Sequence, residues 1–139
     1  MFALDPAFAR TSHAIAELPF CAARLQADAR WPWIVLIPRV EGVREIEDLP
    51  PTGRGRLMSE IVVAGRAVRA VGRSMGLAVE KLNVGLIGNV TPQLHAHIVG
   101  RRSDDPAWPA PVWGVGGAVP YGPDVLEGAI AAAAAALRG

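Results

Sequence analysis

A single cysteine, Cys21, among 139 residues cannot close an internal disulfide, which fits a reducing compartment. Charge of one sign is equally scarce. Fourteen Lys and Arg stand against thirteen Asp and Glu, a net charge of +1 that gives no electrostatic case for a DNA or RNA partner. A phosphorylated ligand would have to be met by local groups. No N-terminal stretch joins a basic region to a continuous apolar run, and the alanine run at residues 131–136 falls well short of the ~20 residues a membrane span needs. The expectation is a cytoplasmic protein without a membrane or nucleic-acid partner. With 51% of its residues apolar, the chain can bury one sizeable core but is too short for two ordinary domains.

Local patterns divide the chain into an N-terminal extension, residues 1–19, and one domain, residues 20–139. Asp5-Pro6 and Leu18-Pro19 break the extension around an Ala-rich stretch with room for a turn or two of helix, and His13 within it is expected to be an exposed or capping residue. Residues 20–26 read as a strand with a turn at 27–30. The apolar run 33–37, bounded by Pro32 and Pro38, reads as a strand buried on both faces and paired with it. Between residues 56 and 75, Leu57, Ile61, Ala64, Val68, Val71 and Met75 recur at intervals of four and three, the spacing of a helix with one face on the core. Thr52 or Gly53 is expected to begin that helix and Gly76 to end it. Its arginines 66, 69 and 73 fall mainly on the other, solvated side. The acidic segment 45–49 reads as a turn.

Residues 79–87 return to extended character and lead through a turn at 88–92 into a second strand. Prolines 106, 109 and 111 keep the following segment out of helix and central strand. Its tryptophans, Trp108 and Trp113, either floor a ligand pocket or seal a core or subunit contact, with packing favoured for at least one. A C-terminal helix is expected over 123–137, with Asp124 as its cap. The order strand, strand, helix, strand, strand, helix gives an α+β domain with a mainly antiparallel sheet and packed helices.

Two of the three histidines lie in Gln93-Leu94-His95-Ala96-His97-Ile98-Val99. In an extended strand, alternation puts the carboxamide and both imidazoles on one face and Leu94, Ala96 and Ile98 on the other. A neutral imidazole supplies a lone pair near pH 7, with its tautomer fixed by what the other ring nitrogen bonds. The pair therefore suits nucleophilic or acid–base chemistry. Two plainer readings are a half-buried structural pair and a metal site. Zinc catalysis generally uses three protein ligands, and the remaining candidates, His13, Cys21 and scattered carboxylates, are distant in sequence. The turn ahead of the row holds Asn83, Gly85, Gly88 and Asn89; the glycines would let backbone amides approach an anion, and the amides add neutral donors.

These pieces resemble the histidine triad (HIT) family, whose signature is His-φ-His-φ-His-φ-φ with φ apolar. Gln93 stands in place of the first histidine. The resemblance also takes in Asn83-Val84-Gly85, the 88–92 turn, Gly100-Arg101-Arg102 and the strand ending in Pro38-Arg39, covering residues 20–114. It implies a HIT-like sheet and a homodimer. It also implies hydrolysis of a nucleotidyl bond at an α-phosphate, with dinucleoside polyphosphates such as diadenosine tetraphosphate as the leading substrate class. His95 would be the nucleophile, forming a nucleotidyl-histidine, and His97 would serve the departing oxygen. Asn89 and Asn83 would contact phosphate, Gln93 would hydrogen-bond beside the nucleophile without titrating, and Asp28 would meet the ribose. No cofactor is expected, with Mg2+ entering only as the companion of a longer polyphosphate. Three alternatives share the pocket: a nucleoside phosphoramidate hydrolase, a nucleotidyl transferase or phosphorylase, and an inactive nucleotide-binding module.

Overall fold

The computed structural model describes all 139 residues, Met1–Gly139. Five strands form one sheet in the order β1-β2-β3-β5-β4, every neighbouring pair antiparallel: β1 Ser12–Glu17, β2 Cys21–Gln26, β3 Trp33–Pro38, β4 Lys81–Gly85 and β5 Ala96–Arg101. Three α-helices, α1 Pro6–Thr11, α2 Pro51–Ser74 and α3 Pro123–Arg138, and a single 3-10 turn at Ile46–Asp48, within the segment read as a turn, complete the chain. The expected α+β class with an antiparallel sheet is what the chain adopts. No helix is long and apolar enough to cross a membrane.

The apolar run of β3 explains its place at the centre. Ile34 and Leu36 face a core shared with Leu57, Ala64, Val68 and Val71 of α2 and Ala129, Ala133 and Leu137 of α3. Trp33, Val35 and Ile37 face a second, smaller cluster with Phe8, Trp31, Val99 and Val112. Both faces of the strand are thus buried, and period-2 alternation distributes its residues between two cores. The α2 stripe packs as its spacing predicts, except that Met75 lies just beyond the last helical residue, where Gly76 at φ +70° takes the left-handed turn. In α3 the alanines at 129 and 133 are fully buried, so small side chains bring it close to α2. Asp124 sits in the first turn of α3 but does not cap it; Gly122 occupies the cap position without a side-chain bond.

Residues 12–17, assigned from sequence to the extension, form an edge strand that pairs with β2. His13 accordingly lies on a strand opposite Leu25, rather than capping a helix. The signal was weak because Ser-His-Ala-Ile-Ala-Glu lacks a clean alternation, and its burial is irregular around the register shift between Ala14 and Ala16. At the opposite edge, β4 pairs only with β5, and its outer backbone groups have no strand partner.

Candidate active site

The histidine row lies at the start of β5, on the sheet face that bears the smaller core. Regular pairing begins only at Ala96, and His97 stands opposite Val35 on one neighbour and Gly85 on the other. His95 precedes the ladder and is 6% exposed, a buried position on the wall of a cavity. The two imidazoles meet edge to face with centroids 4.8 Å apart. Phe8 packs against the far side of His95 at 4.9 Å, and Trp33 and Trp113 each pack against His97 at 5.6 Å.

Hydrogen bonds give the two rings opposite tautomers. His95 Nδ1 lies 2.7 Å from the Gln93 carbonyl, which can only accept, so Nδ1 carries the proton and Nε2 keeps its lone pair. The Trp33 indole N–H donates to His97 Nδ1 at 3.0 Å. An indole nitrogen can only donate, so His97 Nδ1 is the acceptor and its proton resides on Nε2. One ring is left with a nucleophilic nitrogen and the other with a donor. Burial holds the imidazolium form of His95 below its ordinary range, partly offset by the Gln93 carbonyl. Burial, followed by the neighbouring His95, pushes His97 down to about 4. Both rings are therefore neutral at pH 7.

An open cavity of 390 Å³ reaches both histidines. Asn89, expected to contact phosphate, lies in the turn after β4 and lines this cavity. The other expected ligand contacts lie elsewhere. Asn83 Oδ1 accepts from Arg101 Nη1 at 2.7 Å, so its carbonyl end supports that guanidinium. Asp28 forms a paired salt bridge with Arg30 and accepts the Val119 N–H, tying the 27–30 turn to the segment before α3. Burial acts to raise the Asp28 carboxyl, but the Arg30 side chain and the backbone N–H groups of Arg30 and Val119 outweigh it and hold it below its usual range. Gln93 turns its amide away from the cavity toward the N-terminal segment.

Residues the sequence did not single out take part of the lining, Phe8 and Thr11 from α1 and Gln26 at the end of β2, beside Trp113, one of the two tryptophans for which a pocket place or a packing place was expected. Gln26 lies two positions before Asp28, a displacement that strand ends cannot reveal without their register. Gly85 stands opposite His97 in the β4–β5 ladder. A Cβ there would stand 3.0 Å from Trp113 Cη2, so the missing side chain admits the indole beside His97. Gly88, at φ +62°, retains the turn role expected of it.

The loop that delivers Trp113 is ordered by a buried ion pair. Arg101 binds Asp105 through Nε at 2.8 Å and Nη2 at 3.1 Å, and also reaches the Ala110 carbonyl. Asp105 accepts backbone N–H groups from Arg102, Ala107 and Trp108. Burial favours the neutral acid, but Arg101 and these N–H groups prevail and hold the Asp105 carboxyl well below the ordinary range. Trp108, more exposed, packs its ring against the Arg101 guanidinium at 5.6 Å, whereas Trp113 faces the cavity.

Residues 8–104 match the HIT domain family model. Among solved structures, a histidine triad protein from Marinobacter aquaeolei VT8 is 37% identical, with 99% of this chain and 97% of that one covered at a TM-score of 0.89. A HIT protein from Sinorhizobium meliloti 1021 is 35% identical over 95% of this chain and 94% of that one, TM-score 0.87. A histidine triad protein from Bradyrhizobium japonicum is 34% identical over 95% of each chain, also at 0.87. A search of curated proteins finds no significant match.

Proposed function

We propose, from the premise that this chain belongs to the histidine triad (HIT) family, that it is a hydrolase cleaving a nucleotidyl phosphoanhydride at the α-phosphate, with dinucleoside polyphosphates as its substrates. The observation that carries the proposal is the pair of opposed tautomers: a lone pair at His95 Nε2 beside a donor at His97 Nε2. His95 Nε2 attacks phosphorus, forming the N–P bond as the P–O bond to the leaving phosphate breaks and its electron pair departs on oxygen. The His97 N–H donates to that oxygen as its charge develops. Water then attacks the phosphohistidine, the new P–O bond forms as the N–P bond breaks, His95 recovers its lone pair, and the water's proton passes to solvent.

The choice of anhydride over phosphoramidate rests on His97. Its Nδ1 already accepts from Trp33, and burial opposes the imidazolium, so at pH 7 the ring offers a hydrogen bond rather than a readily transferred proton. A departing polyphosphate needs only the hydrogen bond, whereas a departing amine needs the proton as well. Asn89 and the amides of the 88–92 turn hold the phosphate, and the apolar lining of Phe8, Val35 and Val90 with Trp113 receives the base. The chemistry needs no organic cofactor, and Mg2+ accompanies a long polyphosphate as part of the substrate.

The homodimer forms in this account through the open β4 edge. Val84 and Leu86, half exposed beside free backbone groups, support that assignment. The enzymatic reading is tested by incubating the protein and its His95→Ala variant with dinucleoside polyphosphates and nucleoside phosphoramidates, with and without inorganic phosphate. Release of nucleoside monophosphate from the anhydrides by the parent chain alone supports it. Nucleoside diphosphate formed only when phosphate is present would assign a phosphorylase instead, and binding without turnover a nucleotide-binding module.

A further inference from the structure

Gln93 departs from the triad pattern, and its side chain has a defined occupation. Oε1 accepts the Asp5 N–H at 2.9 Å and Nε2 donates to the Ala3 carbonyl at 2.9 Å. A carboxamide is an acceptor and a donor side by side, so it pairs with a stretch of main chain as a neighbouring peptide group would. A neutral imidazole has its two functional nitrogens on a ring with diverging directions and does not reproduce that parallel pair.

The held segment leads directly into the site. Asp5 caps α1 by accepting the Ala7 N–H, and one turn later Phe8, 5% exposed, packs its ring against His95. Phe8 and Thr11 then line the cavity that contains both histidines. Phe2 and Leu4 add apolar contacts to the smaller core. The main chain of the same Gln93 provides the carbonyl that fixes His95. Side chain and backbone of one residue thus hold both the wall over the nucleophile and its tautomer.

We propose that Gln93 is a positioning residue: its amide clamps residues 3–5 so that Phe8 forms a wall of the site, keeping His95 shielded from water and narrowing the entry to ligands that slide beneath that ring. The account of ligand entry rests on the proposed function; the clamp itself does not. Of the titratable or charged groups, His97 shares the large cavity with His95, and Arg44 and Glu45 line a smaller one on its other side. Neither Gln93 nor Phe8 adds a charge, so a change in His95 titration on altering them reports water access.

The test is NMR on the full chain, following amide exchange at Asp5 and titration of His95 in Gln93→Leu, Phe8→Ala and the double variant. Loss of both bonds in Gln93→Leu should speed Asp5 exchange about threefold to tenfold. It should also raise the His95 midpoint toward the ordinary value of 6.5. Phe8→Ala should raise that midpoint too, and the double variant should add no further rise. Gln93→Glu provides the rescue: its protonated carboxyl can donate to Ala3 and accept from Asp5, so Asp5 protection should return as pH falls below the carboxylate range. Unchanged Asp5 exchange in Gln93→Leu, or a His95 midpoint unmoved in both single variants, overturns the proposal. Neither readout needs substrate. A protein that clamps its segment but never forms a phosphohistidine refutes the enzymatic reading alone, and one that forms it with an indifferent His95 refutes the clamp alone.

Discussion

Trp33→Phe removes a single hydrogen-bond donor from beneath the site while retaining an aromatic ring in the small core. In the parent chain, Trp33 Nε1 lies 3.0 Å from His97 Nδ1, and Trp33 is 5% exposed, so little water can replace the lost donor. A net hydrogen bond of this kind contributes about 0.5–1.5 kcal/mol, which is roughly a threefold to tenfold bias toward the Nε2–H tautomer. Without it, a fraction of His97 should carry its proton on Nδ1 and present a lone pair where the leaving oxygen needs a donor. With no other preference between the tautomers, the Nε2–H fraction falls from about 0.75–0.9 to about one half, so hydrolysis of substrates with poor leaving groups should slow by about 1.5- to 2-fold, and activated substrates should be affected less. The smaller ring also leaves a cavity at a stability cost of about 1–3 kcal/mol, so unfolding is measured separately. The assay combines nitrogen-15 shifts of His97 with rates across a leaving-group series. In a His97→Ala background, Trp33→Phe should have no further effect on the slope of that series. A His97 that already bears its proton on Nδ1 in the parent chain, or a slope that changes equally with and without His97, refutes the tautomer argument.

Asp105→Asn leaves the Arg101 guanidinium, 1% exposed, without its counter-charge, and should cost about 3–5 kcal/mol in chemical denaturation. The pH dependence follows from the depressed carboxyl: its stabilisation is complete above the ordinary value of 3.8 and is lost as pH falls below it toward the folded-state value. His97 adds a loss at higher pH. Its folded value near 4 lies below the ordinary 6.5, so the unfolded chain binds more protons in that interval and stability declines from pH 6.5 to 4. The decline should be on the order of 2–3 kcal/mol and should be diminished in His97→Ala. Gly100→Ala places a Cβ 2.7 Å from Val79 Cγ2 and 2.8 Å from Pro32 Cγ, and should destabilise by about 1–3 kcal/mol with the site chemistry intact. Gly85→Ala should instead displace Trp113 and weaken ligand binding, read as a higher KM with a smaller change in kcat.

Elements with a strong period were legible in the chain. The β3 run between its prolines and, up to Val71, the four-three stripe of α2 occupy the places their spacing requires. β1 was not, because its burial alternates poorly and its partner β2 supplies most of the ordering. Within the site, residue spacing placed His95 and His97 together because that proximity is local to one segment. It could not show that Phe8, nearly ninety residues earlier, covers His95, or that Asn83 and Asp28 answer to arginines rather than to the cavity. Those assignments depend on strand register and on the loop fixed by Arg101 and Asp105, which are long-range consequences of packing.

The central claim is covalent, and the most direct measurement is the fate of phosphorus during one turnover. A dinucleoside polyphosphate chiral at the α-phosphorus, quenched without acid and followed by peptide mapping, should place a nucleoside monophosphate on His95 through nitrogen. Two successive in-line attacks, by His95 and then by water, should return product with net retention. Net inversion with turnover confirmed would mean that water attacks phosphorus directly, and would contradict the account even if His95 proved indispensable.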